Sequence, residues 1–376
     1  MKKILLVSTV SRQFYLFEQG NIEVLKSLGY EIHTAANFSD ANERLDALDI
    51  VRHHFDIQRS PFSIRNITAY KQLKKIMRDG NYDAVHCHSP MGGVLARLAA
   101  RAVGIKHVIY TAHGFHFYKG APLINWLVYY TIEKFLARFT DVLITINNED
   151  YTVAKSFKAK RAVYVPGVGV NTGAFARNLD IRNAYRVQLG ISDNTVVLLS
   201  VGEMIKRKNH EAALKAIAEL NHDHLIYLIV GRGVLRPELE KLAESLGIKD
   251  KVRFLGFRND IANICSAADI YLFPSFQEGL PVSLMEAMAA GLPCVASRIR
   301  GNIDLLEDGK GGFLCAPDDI DGMSRAINAL LESEELRKSF GGHNAERIKA
   351  FDMEIVKQEM HRIYSNELLE DAGVEK

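Results

Sequence analysis

Apolar runs of four to six residues recur along the chain. Each is followed by a longer stretch in which apolar residues return every three or four positions. The short runs read as strands and the longer stretches as helices. In the first half the runs Ile4–Ser8, Glu31–Ala35, Ala84–His88, Val108–Ala112, Val142–Ile146 and Ala162–Val165 predict strands. Helical spacing falls between them, over Phe14–Leu28, Ile64–Met77, Gly93–Val103 and Ile124–Phe139, with Gly29, Gly80 and Gly104 marking ends. The pattern restarts after residue 190. Strands are expected at Val196–Val201, Leu225–Val230, Val252–Leu255, Ile270–Phe273 and Cys294–Ala296, and helices at Asn209–Leu220, Arg236–Leu246 and Val282–Ala290. Strands alternating with helices mean parallel sheets covered on both faces. Two such series, joined by the glycine-rich "VPGVGVNTGAF", predict an α/β fold of two doubly wound domains facing across a cleft. Their expected bounds are residues 1–175 and 176–355, with a last helix and tail, 356–376, packing back on the first domain. Ligands bind such sheets at the C-terminal ends of strands.

Composition narrows the setting. The 376 residues are 48% hydrophobic and 24% charged, the balance of an ordinary soluble globular chain. Cys87, Cys265, Cys294 and Cys315 form no C-x-x-C pair, and three lie in apolar runs, as reduced core cysteines of a cytoplasmic protein would. Met1-Lys2-Lys3 leads straight into an apolar strand, so no signal peptide is read. No apolar run reaches the ~18–20 residues a membrane span needs. Net charge is +2, unevenly spread: residues 1–170 hold 22 Lys/Arg against 14 Asp/Glu, and residues 171–376 hold 25 against 31. A basic first half faces nucleic acid or an anionic membrane surface. Nucleic acid is disfavoured, since no aromatic-studded basic groove is visible. The stretch 64–78 carries Lys71, Lys74, Lys75 and Arg78 at helical spacing beside Ile64, Ile67, Leu73, Ile76 and Met77. That pattern fits a helix lying on a membrane surface or a core-packed helix with a wet basic face.

The candidate chemistry centres on "EGLPVSLMEAMAAG", residues 278–291. Pro281 suits a first helical turn and Gly291 a stop, so Glu278 falls on the entering loop and Glu286 a little over one turn inside. Free N–H groups at that helix start attract phosphate. Carboxylates on either side would accept hydrogen bonds from hydroxyl groups. A nucleotide-sugar has that chemistry, with phosphates in the middle and hydroxyl-rich ends. Spacing alone leaves open a helix with one loop glutamate and one solvated glutamate. "GEMIKRKNH", residues 202–210, crowds Lys206, Arg207 and Lys208 after a strand, as a diphosphate charge trap or a solvated turn. "VGRGVLR" has Gly231 and Gly233, but Arg236 stands where a dinucleotide fingerprint needs a third glycine. This loop is a structural turn or a ligand loop. Histidines come in the pairs His53/His54, His86/His88 and His113/His116, and no carboxylate adjoins the second or third at ligand spacing, so no metal site is expected. His113, in "YTAHGFHFYKG", stands at a strand end beside Gly114.

Together these residues resemble the retaining glycosyltransferases of family four, which have the two-domain GT-B fold of Rossmann-like units. The resemblance covers nearly the whole chain. Glu278 and Glu286 match that family's two glutamates with seven residues between, within "EGLPVSLMEAMAAGLPCVAS". The resemblance implies that Glu286 binds ribose hydroxyls, that Glu278 binds the transferred sugar, and that Gly279, Leu280, Pro281, Val282 and Ser283 meet the sugar and diphosphate. Gly202 opens a segment like the basic diphosphate loop, with Lys208 on the usual lysine and Gly231 on a nearby loop. Glu203 departs from the pattern, where many members have arginine, and Arg207 is the candidate to supply the missing charge. Phe257 and Arg258 sit in "FLGFRNDI", which resembles the base-binding segment, and His113 matches a histidine near the sugar's far hydroxyl. Many members carry a glycine pair after the first strand; "STVSRQF" stands here instead, with Ser11 and Arg12. "HCHSPMGGVLARLAAR", "YTAHGFHFYKG" and "ITINNEDYTVAK" look most like a bacterial branch adding hexose or N-acetylhexosamine, such as GalNAc, to undecaprenyl-diphosphate-linked saccharides. The implied partners are a UDP-sugar donor, a lipid-linked acceptor and the inner leaflet of an anionic membrane. Phe115, His116, Phe117 and Tyr118 are expected near the lipid. The implied mechanism is front-face transfer, without metal or cofactor. The rivals are a nucleotide-sugar 2-epimerase of similar fold and a non-catalytic nucleotide-binding subunit.

Overall fold

The computed structural model describes residues 2–41 and 43–369. They fall into two compact units, one formed by the chain up to Val168 together with the part from Met353 onward, the other by Gly169–Asp352. The first unit therefore ends at Val168, short of the expected 175. The reason is local: Val170 N–H bonds Phe351 O at 3.0 Å, and the Thr172 hydroxyl bonds Asp352 at 2.6 Å, which ties residues 170–172 to the second unit. The last helix, Met353–Leu368, lies in the first unit and buries Val356, Met360, Ile363, Tyr364 and Leu368 there.

The first unit is built on seven parallel strands: β1 (Lys2–Val10), β2 (Tyr30–Asn37), β3 (Val51–His54), β4 (Ala84–His88), β5 (His107–Ala112), β6 (Val142–Thr145) and β7 (Arg161–Tyr164). Their order is β3-β2-β1-β4-β5-β6-β7. The second unit has six parallel strands: β8 (Val196–Val201), β9 (Leu225–Val230), β10 (Val252–Gly256), β11 (Ile270–Phe273), β12 (Cys294–Ser297) and β13 (Gly312–Cys315), in the order β10-β9-β8-β11-β12-β13. Both sheets are doubly wound. Strands such as β6 and β11 are buried throughout, as near-continuous apolar runs in a covered parallel sheet should be. The strand order reverses between β1 and β4 in one sheet and between β8 and β11 in the other. At such a switch point the flanking loops diverge and leave a crevice for ligands.

Several elements depart from the sequence pattern. β3 and β13 are short strands with little apolar periodicity, and the pattern does not show them. The stretch Phe14–Leu28 is two helices, Arg12–Phe17 and Gln19–Ser27, broken at Glu18, whose φ of −110° and ψ of 4° leave the helical region. Ile124–Phe139 is likewise divided, with a π-helical stretch at Trp126–Tyr130.

Candidate active site

In the second unit, the loops after β8 and β11 flank the switch point and are tied together by charge. Lys208 Nζ lies 2.7 Å from Glu278 Oε1, and Arg207 Nη1 lies 2.8 Å from the same oxygen. Arg207 also donates to Gln277 O at 2.8 Å, and Phe276 N–H bonds Arg207 O at 2.9 Å. Asn209, in a left-handed conformation at φ 54°, donates to Pro274 O and Pro317 O and locks the basic turn against the following loops. Lys208 also lies 4.8 Å from the centre of the Phe273 ring. Burial lowers its proton affinity and the Glu278 charge opposes that effect. Gly202 lies under the lysine stem; a Cβ there would stand 3.3 Å from Lys208 Cε.

Gly231 serves this loop structurally. Its φ is 145°, and a Cβ would fall 1.9 Å from Gly202 O; one on Gly233 would fall 2.2 Å from Met204 O. The two glycines let the β9 loop press on the backbone of residues 202–204. Two residues not singled out in the sequence hold the Glu278 loop. Arg300, buried, donates from Nε to Glu278 O at 3.1 Å. Gly301, at φ 77°, sits where a Cβ would fall 2.2 Å from Gly279 O. Glu278 is buried, while Gly279, Val282 and Ser283 are partly open at the start of the helix Val282–Ala289 and Leu280 and Pro281 are closed in.

Glu286 lies inside that helix, partly exposed, with no hydrogen bond or ion pair among the described residues. Burial pushes its carboxyl up to about 7. A carboxylate held mostly out of water without a partner is a group awaiting one. Phe257 is 55% exposed after β10, with the Arg232 guanidinium 5.3 Å from its ring. Arg258 is committed to Asp260, donating from Nε at 2.8 Å.

In the first unit, His113 follows β5 and meets side chains from three other elements. Its Nε2 lies 3.2 Å from Gln13 Nε2 and 3.3 Å from His88 Nδ1. Glu18 is wholly buried; its Oε1 takes Gln13 at 2.9 Å and His88 Nδ1 at 3.1 Å, and its Oε2 takes Asn21 at 2.6 Å. Burial pushes the Glu18 carboxyl up to about 7 and His113 down to about 4. Along the chain no carboxylate accompanies these histidines. In space Glu18 does, and one ligand atom each from Glu18, His88 and His113 lies within 4.8 Å of the others. The signal was present: Glu18 occupies the apolar phase of its stretch, between Phe14 and the buried Ile22 and Leu25. Ser89, after β4, is strained at φ 65°, and its hydroxyl meets Thr9 Oγ1 at 2.7 Å. Ser11 is buried and bonds Asp40 at 2.7 Å, whereas Arg12 is exposed.

The expected lipid-facing segment needs correcting. Phe115 and Phe117 are 3% and 1% exposed, packed with Trp126, Tyr130 and Phe157. They are core residues because the strand-end turn folds them inward; His116 alone of the four is exposed, with Tyr118 partly so. Lys71, Lys75 and Arg78 are exposed and Lys74 partly so on the helix Arg65–Gly80, whose Leu73 and Met77 face the core. Ile64 and Ile67 point outward instead, at 81% and 63% exposure. Leu123, Ile124 and Leu127 are exposed too, at 86%, 60% and 71%.

Two parallel-sheet units of this kind are the GT-B architecture. The structure of Anabaena Alr3699/HepE in complex with UDP and glucose matches it with a TM-score of 0.81, over 97% of this chain and all of that one, at 21% identity. Residues 181–347 match the family described as glycosyl transferases group 1, and residues 3–147 match the glycosyl transferase 4-like family. A Bacillus subtilis (strain 168) protein, EpsD, a glycosyltransferase by name, is 38% identical over 372 residues, covering 97% of this chain and 96% of its own. The Escherichia coli UDP-Gal:alpha-D-GlcNAc-diphosphoundecaprenol alpha-1,3-galactosyltransferase is 34% identical over 72% of this chain and 73% of its own. The chain belongs to the glycosyltransferases, in the group 1, family-four-like class.

Proposed function

We propose that the protein moves a sugar from a UDP-sugar to a polyprenyl-diphosphate-linked saccharide, with retention of configuration and without a metal. The observation that carries this reading is the convergence of Lys208 and Arg207 on Glu278 at the switch point, with the unpartnered Glu286 on the helix that follows. Glu286 takes the ribose hydroxyls. The open backbone at Gly279, Val282 and Ser283 takes the diphosphate, with Leu280 and Pro281 shaping the loop. Phe257 offers its face to the base, and Arg258, through its Asp260 pair, steadies that segment. Lys208 and Arg207 stabilise the charge that develops on the departing diphosphate, and Gly202 and Gly231 keep their loop close. Glu278 accepts hydrogen bonds from the sugar. Its ion pairs make it a poor nucleophile, which favours front-face attack, with the leaving phosphate taking the acceptor's proton. His113 donates to a sugar hydroxyl.

GalNAc or another N-acetylhexosamine is the first candidate sugar; galactose is the next, because the Escherichia coli relative is named for it. That relative's name also supports a lipid-diphosphate acceptor. The N-terminal unit, with Arg12, His116 and Tyr118 near its strand ends, holds the acceptor. Among the described residues no helix is long and apolar enough to cross a membrane. The protein works in the cytoplasm, bound peripherally at the inner face of the membrane. A panel of UDP-sugars, incubated in EDTA with a polyprenyl-diphosphate-sugar acceptor, tests this reading by mass spectrometry, and NMR of the product gives the anomeric configuration. One sugar added to the lipid, with the donor's configuration, is the expected result. Release of free or epimerised sugar alone, an inverted linkage, or activity that returns only with magnesium would overturn it.

A further inference from the structure

Glu18 is a carboxylate placed in an apolar stripe, and the break between two helices turns it wholly inward. We propose that Glu18 is a positioning residue for His113: acting through Gln13 and His88, it fixes His113 as the tautomer with its proton on Nδ1 and leaves that N–H as the donor to substrate. The idea rests on the reading that His113 meets a sugar hydroxyl.

The donor and acceptor inventory carries the argument. Above the pH of about 7 to which burial raises it, Glu18 is ionised and only accepts hydrogen bonds. Glu18 Oε1 lies 2.9 Å from the Gln13 amide nitrogen, so the Gln13 NH2 group, not its oxygen, faces this cluster. That same nitrogen is 3.2 Å from His113 Nε2, which must therefore accept. His88 points the same way. Its Nε2 is buried with no partner, and a bare lone pair there costs less than a stranded N–H, so its proton sits on Nδ1. From there it donates to Glu18 Oε1 at 3.1 Å, with His113 Nε2 3.3 Å away. His113 Nε2 thus faces two donors and carries no proton. Burial keeps the ring neutral, pushing it down to about 4. The remaining proton is on Nδ1, which has no hydrogen bond among the described residues. Asn21, 2.6 Å from Glu18 Oε2, holds the carboxylate in place. The three ligand-type atoms are also near enough for one divalent cation to span, and the test below separates the two accounts.

The measurement is a long-range 15N–1H correlation spectrum of histidine-labelled protein at pH 8, with the His113 signal assigned from His113→Gln. His113 is expected as the Nδ1–H tautomer. In Glu18→Gln the fixed acceptor is lost and the His113 signal should move toward a mixture of tautomers. Turnover should fall about tenfold in kcat, with donor KM changed less than twofold. Gln13→Leu should move the same signal, which keeps the idea testable if Glu18→Gln does not fold. An Nε2–H tautomer in the wild type, or an unmoved signal in a folded Glu18→Gln, would overturn the proposal. So would a shifted tautomer with unchanged kcat, or stoichiometric zinc in the purified protein with a His113 signal that responds to chelation. The tautomer is read without turnover, so a wild type that transfers no sugar would refute the functional reading separately.

Discussion

Lys208 Nζ and Glu278 Oε1 are 2.7 Å apart, and they come from the loops after β8 and β11, parallel neighbours between which the strand order reverses. Lys208 is nearly buried, so its charge is held by Glu278, and Arg207 makes a second contact to the same oxygen. Two cations face one carboxylate, which leaves positive charge over for a diphosphate. Lys208→Ala should lower kcat by roughly 10²-fold, the scale of losing one preorganised charge stabiliser. Arg207→Ala should also be impaired, because exposed Glu203 supplies no cation to the loop and Arg207 is proposed to make up the charge. Steady-state kinetics on both variants checks this; full activity in Arg207→Ala would reject its compensating role.

Glu286 gives a prediction with a sign. Its carboxyl is raised to about 7 by burial. A carboxyl raised in the folded state favours folding while protonated. Its contribution is therefore intact below the unfolded value of 4.5 and is lost as pH rises through about 7. Glu286→Gln removes that loss. Its Tm should exceed the wild type's at pH 8 and come close to it near pH 4.5, with a stability difference of roughly 3 kcal/mol at the higher pH. UDP affinity should move the other way, because the ribose hydroxyls proposed as its partners would donate to the ionised form. Calorimetry should show wild-type affinity rising between pH 6 and 8, and Glu286→Ala should lose about 1.5–3 kcal/mol. An unchanged affinity in a folded variant would take Glu286 out of the donor site.

Much of this was legible in the chain because parallel sheets write themselves as apolar runs. β4, β8, β9 and β11 fall where the pattern puts them. β3 and β13 did not show, since Val51–His54 has one apolar residue in four and Gly312–Cys315 opens on a glycine that follows another. The Glu278 and Lys208 loops were readable as motifs, but the ion pair joining them depends on which strands are neighbours, 70 residues apart in sequence. Glu18 was legible only as an anomaly, a charge in an apolar phase. Phe115 and Phe117 were misread because aromatic residues beside a strand end look alike whether the turn folds them in or out.

Gly301 offers a test of how the Glu278 loop is held. At φ 77° any other residue is strained, and here a Cβ would also strike Gly279 O at 2.2 Å. Gly309 has nearly the same φ, 75°, but nothing within 4 Å. Gly309→Ala should cost about 1–2 kcal/mol of stability from left-handed strain alone. Gly301→Ala should cost more and should also reduce turnover, by displacing the Gly279 backbone that is proposed to meet the donor. Thermal melts and kinetics on the two variants separate strain from displacement. Equal activity in both would mean that the loop tolerates the shift.

The membrane prediction joins charge to exposed apolar surface. The first unit carries the basic excess of the sequence, and Lys71, Lys74, Lys75 and Arg78 extend along one helix. Each such residue near anionic headgroups contributes about 1 kcal/mol. Basic residues alone would make a weak, wholly salt-sensitive contact. Outward-pointing Ile64 and Ile67 start the same helix, and Leu123, Ile124 and Leu127 stand exposed on another. Side chains of that size contribute on the order of 1.5–3 kcal/mol each when fully buried. Binding to anionic vesicles should therefore have two parts. Changing the four basic residues to glutamine should remove the salt-sensitive part, and Leu123→Ser with Leu127→Ser should remove a salt-insensitive part. Both variants should lose activity on acceptor held in vesicles and keep it on a short-chain soluble acceptor. Vesicle flotation across a salt series reads the two parts directly. Binding that survives both sets of changes would return these surfaces to ordinary solvent-facing roles.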